Sequence, residues 1–160
     1  MRLATAAATL ILCVPSPATA QVTPPSVDDL LRAEARIREG RIGEARTEVE
    51  RWWLLTSGDA TPELLQYALW LRGILTVDPT QADRDFRRIV LEFPSGPRAG
   101  ASRLRLGQSA HARGDLEAAL RHYRALDRDF PGSRFRIIAR SWLDRYEAAA
   151  EAMIRSRGRT

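Results

Sequence analysis

Residues 91–97, LEFPSGP, are echoed by residues 128–134, RDFPGSR, with Phe93-Pro94 and Phe130-Pro131 standing 37 residues apart. A fixed period of this size constrains the fold more than any other feature, because stacked repeats bury a core only against their neighbours. Shifting the sequence by 37 aligns Ala45 with Ala82 and Ala119, Val49 with Phe86 and Tyr123, and Trp52 with Ile89 and Leu126. Upstream, Ala33, Trp70 and Gly107 align, as do Ile37, Ile74 and His111.

Each copy reads as helix A, a tight turn, helix B and a Pro-containing loop. In the third copy Leu116, Ala119, Leu120, Tyr123 and Leu126 fall at helical spacing. Gly114 can end the preceding helix and Asp115 can cap the next. In the second copy Asp78 serves as N-cap, Pro79 suits the first helical position, and Gln81 can complete a capping box. Pro94 and Pro131 close each second helix, since proline cannot continue it. Gly107 and Ala119 let two helix backbones approach, and Phe86 and Tyr123 fill the space between units. Trp70, standing where Gly107 stands, predicts local repacking in the second copy. One such pair is too short to be stable alone; three stacked pairs bury a continuous core. The pattern predicts helices over 27–39, 43–56, 61–76, 79–92, 97–113, 116–129 and 134–154, the last a closing helix with a wetter outer face. The fold class is therefore all-α: a stack of about three helix–turn–helix repeats over 27–155.

The first twenty residues differ in kind. Arg2, an apolar run from Leu3 to Val14, the breakers Pro15 and Pro17, and Ala18-Thr19-Ala20 read as a secretory signal over 1–20, cut before Gln21. The run is shorter than the roughly 20 apolar residues of a spanning helix. Cys13, the one cysteine, opens an alternative in which it is the acylated end of a lipoprotein signal, although Ile11-Leu12 precede it where a small residue is usual. Cleavage after Ala20 leaves a chain with no cysteine, which excludes thiol catalysis and Cys-based zinc sites. Residues 21–26 and 156–160 read as loose tails.

The repeat resembles the tetratricopeptide repeat, carried by Leu106-Gly107, Gly114, Ala119, Tyr123 and Pro131. The resemblance is strong over 65–143 and weaker over 27–58, and the period is longer than the usual one of about 34. The extra length lies in the Phe-Pro-Ser/Gly loop, which is similar to two bacterial envelope families. One is the periplasmic cell-division coordinator of the Tol–Pal system. The other is the tetratricopeptide lipoprotein of the outer-membrane β-barrel assembly machine. The resemblance implies a right-handed superhelix whose A helices line a concave groove. It would point Leu30, Ile37, Tyr67, Leu71, Ile74, Leu104, Gln108 and His111 into that groove, with Tyr67, Leu71, Ile74, Leu104, Gln108 and His111 as the partner-binding set. Such grooves take a peptide or helix from a protein partner.

Catalytic patterns are sparse. His122 beside Tyr123 reads as solvated, and His111 reads as a groove residue and the one base an enzyme alternative would have. The sequence carries no H-E-x-x-H, G-x-S-x-G or Gly-rich phosphate loop. Asp83/Asp85 and Asp127/Asp129 are spaced i, i+2, so neither pair shares a helix face, and both read as solvated charges. Trp52 reads as core and Trp53 as a more exposed packing residue. The expectation is no catalytic residue, no metal and no cofactor.

All 25 cations are arginine, and they are unevenly placed. Residues 21–97 sum to −3 and residues 98–160 to +7. Export and the lack of aromatic–basic interleaving argue against nucleic acid. The reading is an exported, periplasmic, non-catalytic scaffold that binds a segment of an envelope protein. The alternative is a peripheral binder of the anionic envelope surface, or an outer-membrane assembly component, acting through the Arg-rich half. The register itself is testable. Ala119→Arg places an unpaired charge between helices A and B and is expected to cost about 3–5 kcal/mol, read as loss of cooperative melting by circular dichroism.

Overall fold

The structure, a computed structural model, describes residues 26–157. The expected signal at 1–20 with Cys13, residues 21–25 of the expected tail, and residues 158–160 lie outside the described residues. Seven helices follow one another: α1 (Val27–Arg38), α2 (Ile42–Thr56), α3 (Pro62–Leu75), α4 (Pro79–Glu92), α5 (Ala99–Ala112), α6 (Leu116–Asp129) and α7 (Arg136–Arg157). Each packs on the next in order, α1 also reaches α3, and no strand occurs among the described residues. The chain is therefore an all-helical stack built by consecutive packing, with α1, α3 and α5 as A helices and α2, α4 and α6 as B helices.

The 37-residue period is present in the backbone. Phe93 ends α4 at φ −131°, ψ 56°, and Phe130 ends α6 at φ −129°, ψ 60°. After Phe93, the Gly96 N–H donates to the Phe93 carbonyl and Ala99 to that of Gly96; after Phe130, Ser133 donates to Phe130 and Arg136 to Ser133. The A-to-B turns repeat as well. Gly40 and Gly114 adopt φ 78° and 75°. Arg41 N–H reaches the Arg36 carbonyl as Asp115 N–H reaches that of Ala110. The second copy has Val77 at this position, where a branched side chain disfavours left-handed backbone. It turns instead through extended Thr76 (φ −71°, ψ 143°), with the Asp78 carboxylate accepting from the Thr80 N–H at 2.9 Å and Pro79 opening α4.

Caps set most of the other boundaries. Asp115 Oδ1 accepts from Ala118 N–H and Thr61 Oγ1 from Leu64 N–H. Ser26, expected in the loose tail, instead caps α1 in a reciprocal box with Asp29. Ser156 and Arg157, also expected in a tail, continue α7, which ends beyond the expected residue 154.

The core runs along the stack in three parts. Leu30, Val49, Trp52 and Leu71 fill the space among α1, α2 and α3. Leu69, Phe86, Ile89 and Leu106 join α3, α4 and α5. Leu104, Tyr123, Leu126 and Trp142 join α5, α6 and α7. Ala45 and Ala119 have no exposed surface. A Cβ on Gly107 would lie 3.0 Å from Tyr123 Cζ, so the glycine admits the ring. In the second copy Trp70 occupies the Gly107 position, and the close approach moves one turn along the helix: a Cβ on Gly73 would lie 2.7 Å from Phe86 Cε1. The Trp70 ring, half-buried, packs on Phe86 at 5.6 Å between centroids.

Asp83 and Asp85 correct the expectation of solvated charges, being 4% and 2% exposed. The i, i+2 spacing turns them to different sides of α4. Asp85 Oδ2 accepts from Arg72 Nε on α3 at 2.8 Å, and Asp83 Oδ2 accepts from Arg113 Nη1 at the end of α5 at 2.8 Å. The Arg72 guanidinium also lies 3.5 Å from the centre of the Trp53 ring, which packs against both adjoining parts of the core. Glycine substitutions separate packing from backbone entropy. Gly73→Val is expected to destabilise the chain by about 1–3 kcal/mol through overpacking against Phe86. Gly43→Ala, on α2 with nothing within 4 Å of a new Cβ, is expected to stabilise it by about 0.5–1 kcal/mol in denaturant titrations.

Candidate partner-binding face

The A helices carry the residues that the repeat register assigns to a groove, and the structure divides them. Leu30 and Leu71 have no exposed surface and Leu104 is 6% exposed; all three belong to the core and offer no contact area. Ile37 and Ile74 are half-buried against the first part of the core. Tyr67 is half-buried and Gln108 is exposed. His111 is half-buried beneath α7, its ring 5.8 Å from Trp142 and 4.9 Å from Tyr146.

Tyr67 is tied across neighbouring A helices. Its hydroxyl donates to Glu34 Oε2 on α1 at 2.7 Å. The Arg98 guanidinium, just before α5, lies 5.1 Å from the Tyr67 ring and 5.7 Å from the Trp70 ring. Arg98 N–H donates to Gln66 Oε1 at 3.1 Å, fixing that loop to α3. Burial, then the bond to Glu34, pushes the Tyr67 phenol well above its ordinary value, so it remains a donor at every physiological pH.

Helix α7 extends the A series. Ile138, Ser141 and Arg145 stand 37 residues after Ala101, Leu104 and Gln108. Together with Tyr123, Trp142 and Tyr146 they border a pocket of about 380 Å3. Tyr123 and Trp142 stack at 4.6 Å, and Tyr146 lies 5.3 Å from Trp142. Ile138 is 45% exposed at the mouth. Sequence reasoning treated α7 as a closing helix only. The signal that finds these residues is the same period carried one step further. The face as built offers Tyr67, Ile74, Gln108 and the α7 pocket: aromatic and aliphatic surface rimmed by arginine and amide.

Several arginines of the Arg-rich half are ion-paired, although the half keeps its net positive charge. Arg136 and Arg140 both donate to Asp127 Oδ1 at 2.7 Å, and these two bonds hold the Asp127 carboxyl below its ordinary range. Arg124 bridges to Glu147 at 2.6 Å and also to Glu151. Asp127 and Asp129 are thus ion-paired rather than simply solvated, Asp129 with Arg128. Among the described residues, Arg98, Arg105, Arg134 and Arg145 have no carboxylate partner.

His122 also differs from the expectation of a solvated ring. It is half-buried between α4, α5 and α6, and burial, reinforced by Arg103, Arg121 and Arg87, lowers its pKa to about 4. Among the described residues no three His, Cys, Asp or Glu side chains converge as a metal site would require, and no helix is long and apolar enough to cross a membrane. No protein-family model, curated protein or solved structure matches the chain.

The depressed His122 value fixes a pH dependence. The unfolded chain takes up a proton near the ordinary histidine value of about 6.5, while the folded chain resists it until about 4. Stability is expected to fall as pH drops through that window. Melting temperatures of His122→Gln should show a flatter slope there than those of the unsubstituted protein.

Proposed function

We propose that the chain is an exported, tetratricopeptide-like interaction scaffold of the bacterial cell envelope that binds a segment of a partner protein along its A-helix face and performs no chemistry. The observation that carries this reading is the periodic stack itself. Its A helices recur at 37 residues and end in an aromatic pocket of about 380 Å3 beside exposed Ile138. Apolar and aromatic side chains at a fixed period suit an extended or helical segment laid across successive units. Tyr67, Ile74 and Gln108 supply the middle of that path and Ile138, Arg145 and Tyr146 its end, above buried Trp142. Leu71, Leu104 and His111 support it from beneath. The secretory pattern over 1–20 supports the compartment, and the long Phe-Pro loop supports the likeness to the Tol–Pal coordinator and the barrel-assembly lipoprotein.

Photo-crosslinkers placed at Tyr67, Gln108 or Arg145 in intact cells are expected to trap a common partner. Those at Arg136 or Arg140, which are paired with Asp127, are expected to trap none. Crosslinks from Arg136 and Arg140 alone would sink the reading and favour surface binding through the Arg-rich half, which would also weaken steeply with salt.

A further inference from the structure

A second pocket, of about 380 Å3, opens away from the A-helix face, between α4, α5 and α6. Val90, Leu91 and Leu106 give it an apolar side, and Arg87, Arg103, Arg121 and His122 border it. The stack contains its own comparison for this place. One repeat earlier, Trp53 stands where Val90 stands and Asp85 where His122 stands. There the Trp53 indole fills the junction between units, covered by Arg72 at 3.5 Å, and Asp85 supplies the carboxylate that Arg72 binds. In the later junction the three contact residues Trp53, Arg72 and Arg88 are replaced by the smaller Val90, Ser109 and Ala125. The ring is absent there and His122 replaces the acid, while Arg87 and Arg103 stand where Glu50 and Gln66 stand one repeat earlier, and Arg121 where Arg84 stands.

Those cations are incompletely matched. Among the described residues Arg103 Nε is buried with no hydrogen-bond partner, and the acid it approaches, Asp129, is 4.0 Å away and shared with Arg128. Arg87 stands 3.8 Å from Asp83, whose shorter bond goes to Arg113. Arg121 pairs with Glu117, both largely exposed. A guanidinium fork and a neutral imidazole are donors suited to a carboxylate, and bonds of this kind are about twice as strong as neutral ones.

We infer that this pocket is a binding site for a small aromatic carboxylate, whose ring takes the place filled by Trp53 in the preceding junction and whose carboxylate is held by Arg103 with Arg87 and Arg121. The site is independent of the A-helix face and of any partner bound there. Its size lies at the lower end for small-molecule pockets, which begin at about 300 Å3.

The experiment follows the His122 imidazole by NMR during titration with N-acetyl-tryptophan, N-acetyl-tryptophanamide and sodium acetate. The acid is expected to perturb His122 and raise its titration midpoint, because an anion beside the ring offsets the three arginines. The amide and acetate should bind at least about tenfold more weakly, one lacking the charge and the other the ring. Arg103→Gln should lose about tenfold in affinity. Val90→Trp should abolish binding, by rebuilding the filled junction, with helicity retained in both variants. The amide binding as tightly as the acid, or acetate matching it, would overturn the assignment. So would unchanged binding in both variants, or no perturbation of His122 at about 10 mM acid. If Val90→Trp fails to fold, Val90→Phe replaces it with the same expected loss.

Discussion

Two bare stretches of helix backbone, each lying against an aromatic ring, hold the stack together. Gly73 faces Phe86 and Gly107 faces Tyr123. A glycine inside a helix costs about 1 kcal/mol relative to alanine. Full burial of an apolar side chain returns about 1.5–3 kcal/mol, and Phe86 and Tyr123 are 4% and 3% exposed. The exchange favours folding only when the ring also meets the next unit. Tyr123 does so through Trp142 on α7, and Phe86 shares its core with Leu106 on α5. Helices of 14 residues, as α3 to α6 are, are marginal alone, so each pair is stabilised by the neighbour its ring reaches.

Polar contacts then decide which neighbour belongs where. α4 carries two buried carboxylates on different sides, one bonded back to α3 through Arg72 and the other forward to Arg113 at the end of α5. Neither pair is a strong source of net stability, since the desolvation of both partners offsets most of the attraction. An unpaired carboxylate at either site would be costly, and this penalises any misaligned stacking of the units. The arginines of the second half serve the same end at the surface, with Asp127, Glu147 and Glu151 drawing α6 and α7 together.

The helices were legible where their ends are written in local chemistry. Asp78-Pro79 and Asp115 at one end and the Phe-Pro pairs at the other give α4 and α6 the limits expected from the sequence. Which face of a helix a neighbour covers was less legible. The tetratricopeptide resemblance put Leu71 and Leu104 on a groove, but in the structure both are buried in the core with side chains of the neighbouring helices. Asp83 and Asp85 looked solvated because their spacing excludes one shared face; long arginines from two other helices reach both. The shift from Gly107 to Gly73 escaped detection because a helix offers equivalent sites one turn apart, and an alignment at a fixed offset compares only one of them.

The two junctions between units are built unequally. The first is filled by the Trp53 ring and secured by the buried Arg72–Asp85 pair. The second keeps open space beside Val90 and is pinned across α4 and α5 by the Asp83–Arg113 pair. Equivalent places one repeat apart therefore expose different surface. Whatever fills the space beside Val90 would bury apolar surface that the first junction already buries beneath the Trp53 ring.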